Sequence, residues 1–282
     1  MQAQQPAFYH LSTAEGLSDN NVTIAVRDHN GILWIGTSEG LNSFDGNRIT
    51  TYHKYKHPEL PENNIERIVV DDDNRVWVRT NSDYITMLDE KRKFHRIQVG
   101  DTSDNSNISG IFNIRNRGVV ILKGRQHYFQ KKDNPFKFDK ISMPFDSLLT
   151  GPIGFTYYLD NNRVIYYRDR KLIVVDYSQR KVLLQMPFPG LNGAYYINDD
   201  ELIAFTREGD VFYRISIREK KVIREYRGVK DQHDLPISGI LRNMTRIDEN
   251  RFAFTTYFSG LDRKSTRLNS SHTVLSRMPS SA

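Results

Sequence analysis

The sequence contains no cysteine. A disulfide scaffold, a thiol nucleophile and a zinc site built on thiolates are therefore excluded. No apolar run approaches the roughly 18–20 residues that a membrane-spanning helix needs. Tryptophan is scarce: Trp accounts for 2 residues, against 15 Tyr and 15 Phe, a bias that favours strands. No segment sustains a helical period. HExxH, GxSxG and GxxxxGK[ST] are all missing, and with them the zincin helix, the hydrolase elbow and the P-loop. The histidines (His10, His29, His53, His57, His95, His127, His233 and His272) show no paired metal spacing. No metal site and no cofactor are expected.

Charge is modest once the C-terminus is considered. The 282 residues hold 40 Lys and Arg against 34 Asp and Glu, a formal +6. Residues 262–282, DRKSTRLNSSHTVLSRMPSSA, have no hydrophobic periodicity. They back-translate into a common short-read sequencing adapter, with a variable index over Thr273–Leu275. They are set aside as an adapter-derived tail, expected to be disordered. Without them the balance falls to 36 basic and 33 acidic residues, or +3, so basicity is a poor argument for nucleic-acid binding.

What is present is a repeat of about 43 residues. NGILWIGT at 30–37 aligns with DNRVWVRT at 73–80. Weaker copies follow as RGVVILKG at 117–124, NNRVIYYR at 161–168, DDELIAFT at 199–206 and DENRFAFT at 248–255. Their fifth residues are Trp34, Trp77, Ile121, Ile165, Ile203 and Phe252. Replacement of Trp by aliphatics at equivalent sites marks a packing position rather than a sugar-stacking platform.

Each copy holds about four runs of β-prone residues separated by turn residues. The first copy predicts strands at Val22–Arg27, Ile32–Thr37, Leu41–Phe44 and Arg48–His53, with Asn-Gly and Asp-Gly steps supplying turns that demand φ > 0. Four antiparallel strands per 40–50 residues is a β-propeller pattern. The expected fold is all-β, an incomplete propeller of about six blades near 16–54, 60–97, 105–141, 150–187, 192–227 and 235–261. Phe8–Leu11 aligns with outermost strands and is expected to await a blade lying after Leu261. Asp71-Asp72-Asp73-Asn74 lacks calcium-loop spacing and reads as a solvated hairpin turn.

GLSDNNVTIAVRDHNGILWIGTSEGLNSFDG at 16–46 resembles the two-component regulator propeller repeat. The resemblance implies a fragment of the periplasmic sensor region of a bacterial hybrid two-component system regulating carbohydrate use. It also implies an oligosaccharide ligand and a homodimeric parent in which a membrane helix, a histidine kinase and response-regulator modules follow. None of those modules lies in this chain, so it is expected to catalyse nothing and to bind no nucleic acid. MQAQQPAFYH has no signal-peptide core, although Gln2–Gln5 is like the polar stretch around a cleavage site.

One constellation suggests a binding site. Arg79, Lys123, Arg125, Arg168 and Arg207 lie at or beside the ends of second strands in four consecutive copies. A basic arc there suits an anionic oligosaccharide, because guanidinium forks bind carboxylates and sulfates bidentately. The competing reading is ordinary solvated charge balanced by Glu208 and Asp210. Two further functions stay open: a propeller enzyme acting on polysaccharide as lyase or glycosidase, and a protein-interaction scaffold. The enzyme would need converging carboxylates, whereas the first strands are entered through Asn20-Asn21, Asn63-Asn64 and Ser106-Asn107.

Overall fold

The computed structural model describes residues 11–101, 106–149, 153–158, 162–207, 211–229, 240–246, 251–257 and 273–277. The chain divides into two compact units, residues 1–142 and 143–282. The first contains three four-stranded antiparallel sheets, each a meander in chain order. Blade 1 is β1 (Val22–Arg27), β2 (Leu33–Thr37), β3 (Leu41–Phe44) and β4 (Ile49–Tyr52). Blade 2 is β5 (Ile65–Val70), β6 (Val76–Thr80), β7 (Tyr84–Leu88) and β8 (Phe94–Gln98). Blade 3 is β9 (Ile108–Ile114), β10 (Gly118–Lys123), β11 (Gln126–Gln130) and β12 (Phe138–Ile141). Strand β5 lies against both β1 and β9, so first strands neighbour one another from blade to blade.

The second unit repeats the plan. Blade 4 is β13 (Ile153–Tyr158), β14 (Arg163–Arg168), β15 (Lys171–Asp176) and β16 (Lys181–Pro187). Blade 5 is β17 (Leu191–Tyr196), β18 (Glu201–Thr206), β19 (Val211–Ser216) and β20 (Lys221–Arg227). A sixth sheet joins β21 (Ile240–Arg246), β22 (Arg251–Tyr257) and β23 (Thr273–Arg277). The fold is an all-β propeller of such blades.

Strand β23 departs from the disorder expected of the 262–282 tail. An open strand edge presents unpaired N–H and C=O groups, and Thr-Val-Leu-Ser-Arg pairs with β22 from Arg251↔Arg277 to Thr255↔Thr273. Of the outer strand expected at Phe8–Leu11, Phe8–His10 lies outside the described residues, and Leu11 belongs to no strand.

A β-bulge recurs near the start of every first strand, at Thr23, Glu66, Ser109, Gly154, Asn192 and Arg242. It fixes which residues are equivalent and corrects the repeat in two places. Counting from the bulge, Trp34, Trp77, Ile165 and Ile203 share a position, but Val120 and Ala253 stand there in blade 3 and the sixth sheet, not Ile121 and Phe252. The pattern of apolar runs is off by one residue in these two strands, and a one-residue slip moves every side chain to the other face.

Asp28 accepts the Trp34 indole N–H at 2.9 Å, and Asp71 does the same for Trp77. Asp71 is therefore buried, not the solvated turn residue expected, while Asp72 and Asp73 beside it are exposed. In the first unit Trp34 packs with Ile65, Val76 and Val78, and Trp77 with Ile108, Val119 and Ile121. In the second, Ile165, Tyr167 and Leu172 of blade 4 pack with Leu191, Leu202 and Ala204 of blade 5. Each cluster joins one blade to the next, so the core is a series of apolar layers between sheets.

Candidate functional site

The five basic residues divide between the units: Arg79, Lys123 and Arg125 in the first, Arg168 and Arg207 in the second. Arg125 and Arg207 are exposed. Arg79 is not a solvated rim residue. Its Nη1 donates to the Ile108 carbonyl at 2.8 Å and lies 2.8 Å from Glu66 Oε2. Blade 1 makes the corresponding link through Thr23, whose Oγ1 donates to the Ile65 carbonyl at 2.5 Å. Ile65 and Ile108 both open their first strands, so Arg79 fastens one blade to the next.

Lys123 is also drawn inward. It is 1% exposed, and its Nζ donates to the Val99 carbonyl at 3.0 Å. Both corrections have one cause. Strand residues alternate between the two faces of a blade, each of which can pack against a neighbouring blade, and the bulge that sets this alternation leaves no compositional mark.

Arg168 is buried as well. It is 6% exposed, and its Nε is buried with no hydrogen-bond partner. The guanidinium carbon lies 5.9 Å from the centre of the Tyr166 ring. Burial lowers the Arg168 pKa, and Tyr166 and Tyr177 partly oppose that shift. Burial likewise pushes the Tyr166 phenol well above its ordinary range. Tyr166 and Tyr177 are joined hydroxyl to hydroxyl at 2.5 Å.

A further surface feature lies in the loop after β4. Tyr55 is 71% exposed. Its ring stacks on His53 at 5.1 Å and 13°. His53 Nδ1 contacts the Glu39 carbonyl at 2.8 Å. A carbonyl cannot donate, so Nδ1 carries the proton. The turn beneath is closed by Lys56 N and His57 N, both donating to the His53 carbonyl. The result is a held aromatic face open to solvent. Its sequence signal was Tyr55 alone among Lys and His in a loop.

Among the described residues no group of His, Asp and Glu is placed to hold a metal ion. No helix among them is long and apolar enough to cross a membrane.

Comparison with known proteins bears on this geometry. No curated protein matches the sequence. The two-component regulator propeller family matches residues 16–39, the span that holds β1, β2 and the Asp28–Trp34 pair. The extracellular domain of the hybrid two-component system BT3049 from B. thetaiotaomicron is similar in structure, with a TM-score of 0.64 and 17% identity over 88% of this chain and 34% of that one. The extracellular domain of the one-component system BT4673 from the same organism gives 0.63 and 13%, over 93% and 33%. Virginiamycin B lyase from Staphylococcus aureus gives 0.60 and 15%, over 83% and 77%. This chain thus spans about a third of either extracellular domain. At these identities the likeness shows the fold. The match to the two-component regulator propeller family falls in the first blade of a β-propeller fold.

Proposed function

We propose that this chain is the ligand-sensing propeller portion of a periplasmic hybrid two-component sensor of carbohydrate use, with an oligosaccharide as ligand and no catalysis of its own. The observation that carries this reading is the regulator repeat at 16–39 within a fold shared with extracellular domains of hybrid and one-component systems. The Tyr55 face supports a saccharide, because a pyranose ring offers an apolar face of C–H groups with hydroxyls at its rim. Signalling in the homodimeric parent would be a population shift, set by the ligand's different affinity for two receptor arrangements.

An enzyme is the second reading, favoured by the lyase fold neighbours. One of them is a catalytically inactive histidine-to-alanine variant. In this chain His95 pairs with Asp89, His53 is held by Glu39, and His57 stacks on Phe94 at 4.4 Å. Titration calorimetry against neutral and acidic oligosaccharides, followed by chromatography of the recovered sugars, separates the readings. Binding with unchanged sugars supports a sensor. Cleaved sugars establish an enzyme, and no binding across the panel removes the saccharide-sensor reading.

A further inference from the structure

Arg168 closes β14 at the register position held by Thr37, Thr80 and Thr206 in blades 1, 2 and 5. A small hydroxyl occupies that place in each, and in blade 2 the Thr80 Oγ1 is buried with no hydrogen-bond partner. Thr37 Oγ1 donates to the Gly40 carbonyl and Thr206 Oγ1 to the Val211 carbonyl, each inside its own hairpin. Blade 3 has a cation there too, Lys123, and it is satisfied by the Val99 carbonyl. Arg168 brings a guanidinium with five N–H donors into a setting that is 6% exposed. Among the described residues Arg168 forms no ion pair with a carboxylate, and its Nε is buried with no hydrogen-bond partner. The nearby hydroxyls of Tyr166 and Tyr177 are bonded to each other.

An unpaired buried charge is strongly destabilising unless something supplies its counter-charge. The repeat shows that the fold does not require a cation here, since threonine serves in three other blades. A position that breaks the local rule without compensation among the described residues is where function is expected. We propose that Arg168 is a ligand-anchoring residue of the second unit, and that its counter-charge is a carboxylate or sulfate group on the bound saccharide. Those groups present two oxygens at the spacing of the guanidinium fork. Arg170 and Lys171, both exposed, follow immediately and add positive potential, offset in part by Asp169 at 3.4 Å from Lys171 Nζ. The proposal rests on the sensing reading for the saccharide nature of the ligand.

The test uses the full chain, titrated by calorimetry with an oligogalacturonate, with its carboxyl-reduced neutral counterpart, and with a sulfated oligosaccharide. Wild type is expected to bind at least one acidic probe and to bind it more weakly in high salt. Arg168→Met should weaken that binding at least tenfold. Arg168→Lys should also weaken it, because an ammonium cannot form the fork. The ligand-free melting temperature of Arg168→Met should equal or exceed that of wild type, since the substitution removes an unsatisfied charge. Three results overturn the proposal: no acidic probe binds wild type, Arg168→Met binds as well as wild type, or Arg168→Met melts several degrees lower without ligand. The last would mean that internal water satisfies the guanidinium and that its role is structural. Cleavage of a probe held through Arg168 sinks the sensor reading and leaves the anchor standing. A neutral probe bound equally by Arg168→Met, with no acidic probe bound, sinks the anchor alone.

Discussion

Trp77 donates its indole N–H to Asp71 at 2.8 Å, across six residues and out of contact with water. The same carboxylate accepts Arg75 Nε at 2.7 Å, and its other oxygen accepts the backbone N–H groups of Asp73 and Arg75. One side chain therefore closes the β5–β6 turn and makes a buried tryptophan tolerable. Asp28 serves Trp34 in the same way. At the equivalent place in the other four copies the sequence has Ile114, Leu159, Ile197 and Ile247, where no tryptophan follows. Acid and indole occur together because neither is tolerable buried alone.

Asp71→Ala should destabilise the chain by about 1–3 kcal/mol, the cost of leaving a buried donor unsatisfied. Trp77→Phe should be costly alone yet add much less on top of Asp71→Ala than it costs in wild type. Urea unfolding of the four members of the cycle measures this. Additive costs would mean that the hydrogen bond contributes nothing.

Arg79→Met should cost about 1–2 kcal/mol through loss of the bond to the Ile108 carbonyl, with a smaller loss for Glu66→Gln. Hydrogen exchange should localise the damage to β5 and β9. If Arg79→Met is as stable as wild type, the residue is a rim charge after all and returns to the list of ligand contacts.

Gly36 precedes the closing threonine of β2, at the place Arg79 holds in blade 2. A methyl group there would sit 2.7 Å from Ile65 Cγ2 and 3.0 Å from Ile24 Cγ2. Gly36→Ala should therefore destabilise by about 1–3 kcal/mol through overpacking. Adding Ile65→Ala should recover part of that loss. A neutral Gly36→Ala in thermal unfolding would show that blades 1 and 2 are not packed this closely.

Acid should weaken the β7–β8 hairpin. The hydrogen bond from His95 at 2.8 Å is the main cause that lowers the Asp89 pKa; desolvation opposes it, and the N–H groups of Lys93 and Lys91 add to the lowering. A carboxylate depressed in the folded state stabilises above its unfolded pKa of about 3.9, and the benefit is lost as pH falls through the folded value. Asp89→Asn should thus lower stability at pH 6 and lose less than wild type between pH 5 and pH 2. Parallel stability curves for the two proteins over that range would refute the linkage.

The blade plan was legible in the sequence, and the burial of the basic side chains was not. Asn30-Gly31 and Asp45-Gly46 punctuate short β-prone runs, and the strands between them fall within a residue or so of the places those steps imply. The bulges at Thr23 and Glu66 have no such signature, yet they decide which strand residues turn toward a neighbouring blade. Arg79 and Lys123 were therefore legible as cations and illegible as internal fasteners. Arg168 was legible as a candidate, but its isolation was not, because no local pattern reveals what fails to arrive beside a side chain.

The outer edge of blade 5 should govern association. Strand β20 is exposed at six of its seven residues, and only Tyr226 is buried. Val222 and Ile223 are 37% and 39% exposed, on a strand that among the described residues pairs on one side only, to β19. An outermost strand with unpaired backbone groups and apolar side chains is a template for another chain. Lys221, Arg224 and Arg227 flank the apolar pair with charge, which blunts the edge without removing it. Ile223→Lys places a charge in the middle of that edge at a site that contributes little burial. Sedimentation velocity across a concentration series should show less self-association for Ile223→Lys than for wild type, while urea unfolding at low concentration should be the same within about 0.5 kcal/mol. Equal association of the two proteins would remove β20 as the contact. A large loss of stability would show that Ile223 is packed more deeply than its exposure indicates.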